Sequence, residues 1–112
     1  MGDEVPGVRY MRLMVMIDLQ TGTPEERRSY TRFRSFLLDA GFVQEQYCVY
    51  SRVAPGQAAV AALRAKIKLH TPAYGNVQVL QLTEKQYAGR DILVDSRPAN
   101  RCDIGVQMTL EF

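Results

Sequence analysis

Asp18 is the carboxylate of this sequence that is best placed to do chemistry. It ends the run 10–18, which is mostly apolar, short and followed by a turn, as is typical of a buried strand. A carboxylate at the end of such a strand is held on a rigid element at the rim of a sheet, a common position for metal ligands and acid–base groups. The alternative is that Asp18 only begins the turn through residues 21–24, as aspartate often does. Both interpretations remain open at this point.

Arginine side chains are the second group that could do chemistry, because they make up eleven of the fourteen basic residues. A guanidinium is a planar fork of donors that suits phosphate, so this bias favours a polyanion as partner. Residues 9–90 hold twelve Lys/Arg against six Asp/Glu, whereas each flank has a net charge of −2. We expect the nucleic-acid contacts to come from Arg12, Arg27, Arg28, Arg32, Arg34 and Arg52.

Four of these arginines fall on the two flanks of the first predicted helix. Arg27 and Arg34 share one flank, and Arg28 and Arg32 share the other. Two like charges four residues apart are mildly unfavourable in an isolated helix, and phosphates nearby would explain them. A solvated polar face, with acidic residues of the same helix as partners, fits the pattern equally well.

Several classes of site have no support in the sequence. There is no glycine-rich phosphate loop, no paired-carboxylate motif and no cluster of ligands. Cys48 and Cys102 match no zinc spacing, and we expect both to be reduced thiols in a cytoplasmic protein. Any Ser/His/Asp or Cys/His catalytic site would depend on His70, the only histidine. No apolar run approaches the roughly 18 residues of a membrane span, so we expect no membrane partner.

Hydrophobic periodicity predicts the elements that position these residues. Strands are predicted at 9–18 and 76–83, with a strand pair or one bent strand over 42–53 that breaks near 45–47. Helices are predicted at 24–40, with Thr23 as N-cap and Gly41 as the closing residue, and at 57–70. Further strand candidates are 90–94 and 104–110. Residues 1–8 are expected to be a disordered extension, 9–94 one domain, and 95–112 a C-terminal extension with a strand.

This order of elements predicts an α+β fold, a ferredoxin-like βαββαβ sandwich with both helices on one face of an antiparallel sheet. The first strand is apolar on both sides, with Leu13, Val15 and Ile17 opposite Met14 and Met16. Something should therefore cover the second face of the sheet, and a homodimer formed through the sheet faces is the simplest answer. Such a dimer could also bring two Asp18 carboxylates together to hold Mg²⁺, which one carboxylate binds weakly.

The sequence resembles CRISPR-associated protein 2, the small partner of the spacer-acquisition integrase, in its type II form. Five segments carry the resemblance, in the order found in the family, within about residues 9–94: 9–19, 25–38, 40–42, 46–52 and 77–87. Two positions depart from the family's pattern. Ile17 stands where an aromatic residue is frequent, and Cys48 stands where serine is favoured. These departures bear on nuclease activity more than on fold or bridging.

The resemblance implies a ferredoxin-like homodimer with a symmetry-related pair of aspartates, Asp18 in this chain, held responsible for phosphodiester cleavage. Asp18 is then both the metal ligand and the catalytic residue, and the metal is Mg²⁺ or Mn²⁺. The resemblance also implies that the dimer bridges two dimers of a CRISPR-associated integrase and holds a double-stranded DNA prespacer.

Three functions compete at this stage. The first is a DNA-binding structural subunit of the integration complex, and the second is a metal-dependent nuclease of RNA or DNA. The third is a small-molecule regulatory module, since ferredoxin-like folds also serve that role. The arginine-rich helix and the lack of a glycine-rich ligand loop argue against the third.

Overall fold

The first strand forms the middle of the sheet. The computed structural model describes residues 9–96, and its first strand, β1, spans Tyr10–Asp18. Burial alternates along β1 as strand geometry requires, with one face entirely buried and the other only partly covered. The buried side chains are those of Met11, Leu13, Val15 and Ile17.

The sheet has four antiparallel strands, and its topology is that of the predicted ferredoxin-like fold. Strand β2 spans Val43–Gln46, β3 spans Val49–Pro55 and β4 spans Asn76–Thr83. The strands lie in the order β2-β3-β1-β4. The predicted break in the 42–53 segment is confirmed, because β2 and β3 form a hairpin whose turn lies at residues 47–48.

Two helices cover one face of this sheet. Helix α1 spans Pro24–Asp39 and α2 spans Gln57–His70. Their buried side chains form a single core with the buried face of β1. β1 is therefore held by its neighbours β3 and β4 in the sheet and by the packed helices. The helical contribution consists of Phe33, Leu37, Val60, Leu63 and Ile67.

The ends of α1 follow the predicted signals. Thr23 is the N-cap of a complete capping box: its hydroxyl accepts from the backbone N–H of Glu26, and the Glu26 carboxylate accepts from the backbone N–H of Thr23. Gly41 follows the C-cap Ala40 with a φ of +93°, a conformation that glycine adopts without strain. The chain then turns directly into the core, where Phe42 is buried.

The segment after β4 differs from the prediction. A short helix, α3, spans Glu84–Ala88 and begins at Thr83, whose capping box with Gln86 is complete. The strand predicted at 90–94 is wrong, because residues 91–96 have no regular structure. Within residues 9–96, no strand pairs with that segment. The side chains of Ile92, Leu93 and Val94 are consequently exposed.

Residues 1–8 and 97–112 lie outside the described residues, and with them the strand predicted at 104–110. Within residues 9–96, no helix has the length and apolar character that a membrane crossing requires.

We call the second face of the sheet the open face, and among residues 9–96 the short α3 is the only helix on it. It is formed by the alternate residues of β1 and by the residues paired with them in β3 and β4. The apolar members are half-buried or exposed, with Leu80 exposed to 47%. They are Met14, Met16, Val49, Val53, Leu80 and Leu82.

Candidate carboxylate site and nucleic-acid interface

Asp18 is the last residue of β1, and its side chain is exposed at the rim of the sheet. The turn that follows is held by other groups: Glu26 Oε1 accepts from the backbone N–H groups of Gly22 and Thr23, at 2.9 and 3.0 Å. Within residues 9–96, no hydrogen bond reaches the Asp18 carboxylate. The turn therefore does not use the Asp18 side chain, and its oxygens remain available to a ligand.

One chain offers little else to a metal at this rim. No three His, Cys, Asp or Glu side chains among the described residues are grouped closely enough to hold an ion. Cys48, a free thiol, is close enough to be affected by Asp18, but burial and then the Asp18 charge both raise its pKa. A protonated thiol is a poor ligand for Mg²⁺, which prefers oxygen. Asp18 therefore offers a magnesium ion one carboxylate per chain, with the remaining ligands to come from water, a substrate phosphate or a second copy.

Three of the predicted arginines lie together on the outer face of α1. The side chains of Arg27, Arg28 and Arg32 are all exposed. Arg28 has one acidic neighbour, Glu25, at 3.8 Å, and such an exposed pair contributes little. Arg32 has no ion pair with any described residue. We call this set the α1 basic face.

Arg34 lies on the same helix but is used within the fold. Its Nε donates to the Tyr50 hydroxyl at 3.0 Å, and its Nη2 donates to Gln44 Oε1 at 3.4 Å. Tyr50 is completely buried, so this bond satisfies a hydroxyl that water does not reach. Arg34 thus ties α1 to the β2–β3 hairpin.

Arg52 is also engaged within the fold. Its Nη1 donates to the carbonyl oxygen of Ala40 at 2.7 Å, and its guanidinium packs beneath Gly41. A cation at this point complements the negative end of the α1 dipole and one of its free carbonyls. Arg52 therefore serves as a cap for the helix.

Arg12 lies on the open face in a bidentate ion pair with the first residue of α3. Its Nε and Nη2 donate to the two carboxylate oxygens of Glu84 at 3.0 and 2.6 Å. The hydrogen bonds from Arg12 lower the pKa of Glu84, and those to Glu84 raise the pKa of Arg12. Its Nη1 donates to Ser51 Oγ at 3.1 Å. These bonds anchor α3 to the middle of the sheet.

Tyr87 and Glu45 complete this group, which we call the Arg12 cluster. The Tyr87 ring lies between two guanidinium carbons, those of Arg12 and Arg90, each 3.8 Å from its centroid. The Tyr87 hydroxyl donates to Glu45 Oε2 at 2.6 Å, and Ser51 donates to the same oxygen. Burial opposes ionisation of Glu45, but these bonds outweigh it and lower its pKa. Burial, then the bond to Glu45, raises the pKa of Tyr87.

The Arg12 cluster was not predicted from the sequence, although one feature of β1 indicates it. Arg12 interrupts the apolar residues of the open face, and a charge in that position needs a partner. The β1–β4 register places Leu82 opposite Arg12, so Glu84 follows on the same face. The partner is 72 residues away, and only the register identifies it.

Comparisons with known proteins agree on one family. The sequence model of the family described as CRISPR associated protein Cas2 matches residues 11–90. Similar proteins with the name CRISPR-associated endoribonuclease Cas2 occur in several bacteria. The protein of Streptococcus mutans serotype c is 44% identical over 78 residues, which are 70% of this chain and 72% of that protein.

Two further relatives have the same name. The protein of Lacticaseibacillus rhamnosus is 43% identical over 84 residues, which cover 75% of this chain and 83% of the relative. The protein of Paracidovorax avenae is 43% identical over 81 residues, covering 72% of this chain and 75% of the relative.

Proposed function

Since this chain belongs to the Cas2 family of CRISPR-associated proteins, we propose that it is a DNA-binding structural subunit of the spacer-acquisition complex. In this role a homodimer holds the prespacer duplex and bridges dimers of the CRISPR-associated integrase. The family is part of the CRISPR adaptation machinery and its members are generally dimers.

The α1 basic face is the observation that carries this proposal. Arg28 and Arg32 are one helical turn apart, about 6 Å along the axis. Phosphates of one DNA strand rise about 3.4 Å per nucleotide, so the pair spans about two phosphates. Neither guanidinium is needed to satisfy a buried group of the fold. Arg12, Arg34 and Arg52 are assigned to the fold instead, because each makes a part-buried hydrogen bond to a distant part of the chain. The bonds of Arg27 reach only the exposed carbonyl oxygens of Thr21 and Gly22, just before α1.

The open face supports the homodimer. Its exposed and half-buried methionines, valines and leucines present apolar surface beside the Arg12 cluster that association would remove from water. A twofold axis through this face is the arrangement that could bring two Asp18 residues to one rim.

Salt-dependent binding of a blunt DNA duplex tests the proposal. Each phosphate contact contributes about 0.9 to the slope of log K against log salt. Arg28→Ala combined with Arg32→Ala should therefore reduce the slope by about 1.8 for each protomer that contacts the duplex, and weaken binding. Lys66→Ala combined with Lys68→Ala removes the same charge from exposed positions of α2 and should change little. Equal effects of the two double variants would contradict a defined interface on α1.

Metal-dependent phosphodiester cleavage is the second candidate function, favoured by the exposed Asp18 carboxylate and by the endoribonuclease name of the relatives. Two Asp18 side chains, one per protomer, would hold Mg²⁺ or Mn²⁺, and the ion would supply positive charge to the phosphate and acidify bound water. Because Asp18 is exposed at the rim, solvent water could reach a substrate phosphate that is bound there.

Cleavage of RNA and DNA by the purified protein, with and without chelator, tests this candidate. Asp18→Asn should abolish any metal-dependent cleavage, whereas Asp39→Asn, an equal change at the exposed end of α1, should not. Cleavage that survives in the Asp18 variant would exclude Asp18 as the metal ligand.

A further inference from the structure

A cleft of about 960 Å³ opens between the first half of α1 and the loop 71–75 that joins α2 to β4. This volume is at the upper end of the range of small-molecule sites. Arg32 lines the cleft and also lines a shallow depression on the α1 basic face, together with Arg27 and Arg28. The cleft is therefore continuous with the surface proposed to hold DNA.

Aromatic rings from three separate elements form the walls of this cleft. Tyr30 and Phe33 come from α1, His70 ends α2, and Tyr74 comes from the loop. The His70 ring is fixed in orientation, because it stacks on Phe36 at 3.9 Å with 9° between the planes. Flat aromatic walls beside a guanidinium favour a planar ligand that can stack.

The loop that carries Tyr74 is braced at both ends. Thr71 Oγ1 donates to the carbonyl of Ile67 at 2.6 Å, and so prolongs the end of α2. Gly75 has a φ of +103° and packs so closely that a Cβ there would overlap Leu19 Cδ2. Tyr74 is nevertheless 89% exposed, so its ring is available on a positioned segment. The next residue but one, Asn76, pairs with Asp18, which places the loop at the Asp18 rim.

The charges at the cleft select a neutral ligand. Glu25 and Glu26 lie in its lining, and a phosphate inside would meet both carboxylates. Glu26 cannot swing away without releasing the backbone N–H groups of Gly22 and Thr23. A phosphate is favoured outside, on the α1 basic face, while an uncharged ring system is favoured inside. Ser29 and Gln20, also in the lining, offer hydrogen-bonding groups to the edge of such a ring.

We propose that this cleft binds one unpaired nucleobase, stacked on Tyr74 and Arg32, at the end of a strand whose phosphates lie along the α1 basic face. The proposal rests on the proposed DNA-binding function and adds a preference to it: an end with an unpaired nucleotide binds better than a blunt end. An unpaired ribonucleotide presents the same flat surface, so the cleft itself reads base stacking rather than sugar type.

Three duplexes that differ only at one end test this proposal. The first is blunt, the second has a one-nucleotide 2-aminopurine overhang, and the third has an abasic nucleotide in that place. Stacking of one base on an aromatic side chain predicts about tenfold tighter binding of the second than of the third. The 2-aminopurine fluorescence should fall on binding. Deoxy and ribo versions of the overhang should show the same gain, and a gain confined to one of them would contradict recognition by base stacking alone.

The variants isolate the cleft from the basic face. Tyr74→Ala should remove the tenfold gain and leave affinity for the blunt duplex unchanged, whereas Tyr74→Phe should keep the gain. Leu69→Ala, a truncation of an 82% exposed side chain on α2 outside the cleft, should change neither value.

Two failures are distinguishable in this experiment. If the wild-type protein does not bind the blunt duplex, the proposed DNA-binding function is refuted and this inference falls with it. If the blunt duplex binds but base and abasic overhangs bind equally, only the cleft proposal is overturned. A gain that survives Tyr74→Ala also overturns it.

Discussion

The Arg12–Glu84 pair should be energetically coupled, whereas the Glu25–Arg28 pair of the same chain should not. Arg12 and Glu84 form two hydrogen bonds at 3.0 and 2.6 Å, and their side chains are 14% and 40% exposed. Glu25 and Arg28 approach only to 3.8 Å and are 79% and 63% exposed. The two pairs differ in geometry and burial but not in chemistry, so they provide a comparison within one fold.

The expected coupling energies follow from these values. A hydrogen bond to a charged group contributes roughly 1.5–3 kcal/mol when it is well shielded. Because Glu84 is two-fifths exposed, we discount this and expect about 1–2 kcal/mol of coupling for Arg12–Glu84. For Glu25–Arg28 we expect less than about 0.5 kcal/mol. A loss of 1 kcal/mol in a domain of this size lowers Tm by about 4–8 °C.

Double-mutant cycles by urea unfolding measure both couplings. The substitutions Arg12→Met and Glu84→Gln, alone and together, are compared with Arg28→Met and Glu25→Gln, alone and together. All variants are measured at one protein concentration, because association would raise the apparent stability. An Arg12–Glu84 coupling no larger than that of Glu25–Arg28 would show that the Arg12–Glu84 pair does not anchor α3.

Two further predictions concern the Arg12 cluster and the loop at the Asp18 rim. The pKa values of Glu45 and Glu84 are lowered from the ordinary 4.5, so their contribution is complete above about pH 5 and is lost as pH falls through the lowered values. The free energy of unfolding of the wild type should thus fall more steeply below about pH 5 than that of Glu84→Gln; parallel curves would exclude Glu84 as a cause. Gly75→Ala should cost more stability than Gly56→Ala, measured by thermal unfolding. Both glycines have positive φ, +103° and +92°, but only a Cβ at Gly75 meets Leu19 and the Asp18 carbonyl. Equal losses would show that backbone strain alone, about 1–3 kcal/mol, accounts for both.

Local signals in the sequence predicted the elements that depend on local physics. The capping box at Thr23 and the positive φ at Gly41 require only neighbouring residues, and both were predicted as helix ends. The Thr83–Gln86 capping box was an equally local signal for α3 that the strand assignment obscured. The segment 90–94 was assigned as a strand from its apolar residues, but a strand also needs a neighbour, and none of the described strands lies beside it.

The arginines also divide into a group whose positions follow from local sequence and a group whose positions depend on tertiary contacts. Exposure of Arg27, Arg28 and Arg32 follows from the helical pattern, which directs all three away from the buried Phe33 and Leu37. Arg12, Arg34 and Arg52 contact Glu84, Tyr50 and Ala40, whose positions depend on strand register and helix packing. Composition treated all six as one basic surface, and only the tertiary contacts separate the two groups.

Spacer acquisition in cells tests most directly the claim that the α1 basic face, rather than Asp18, carries the main function. The measurement is the gain of new spacers in the CRISPR array, with the chromosomal gene replaced by Asp18→Asn or by Arg28→Ala/Arg32→Ala at matched protein levels. We expect acquisition to persist in the Asp18 variant and to fall sharply in the arginine variant. Loss of acquisition in the Asp18 variant, with the integrase complex still assembled and the arginine variant active, would contradict the account.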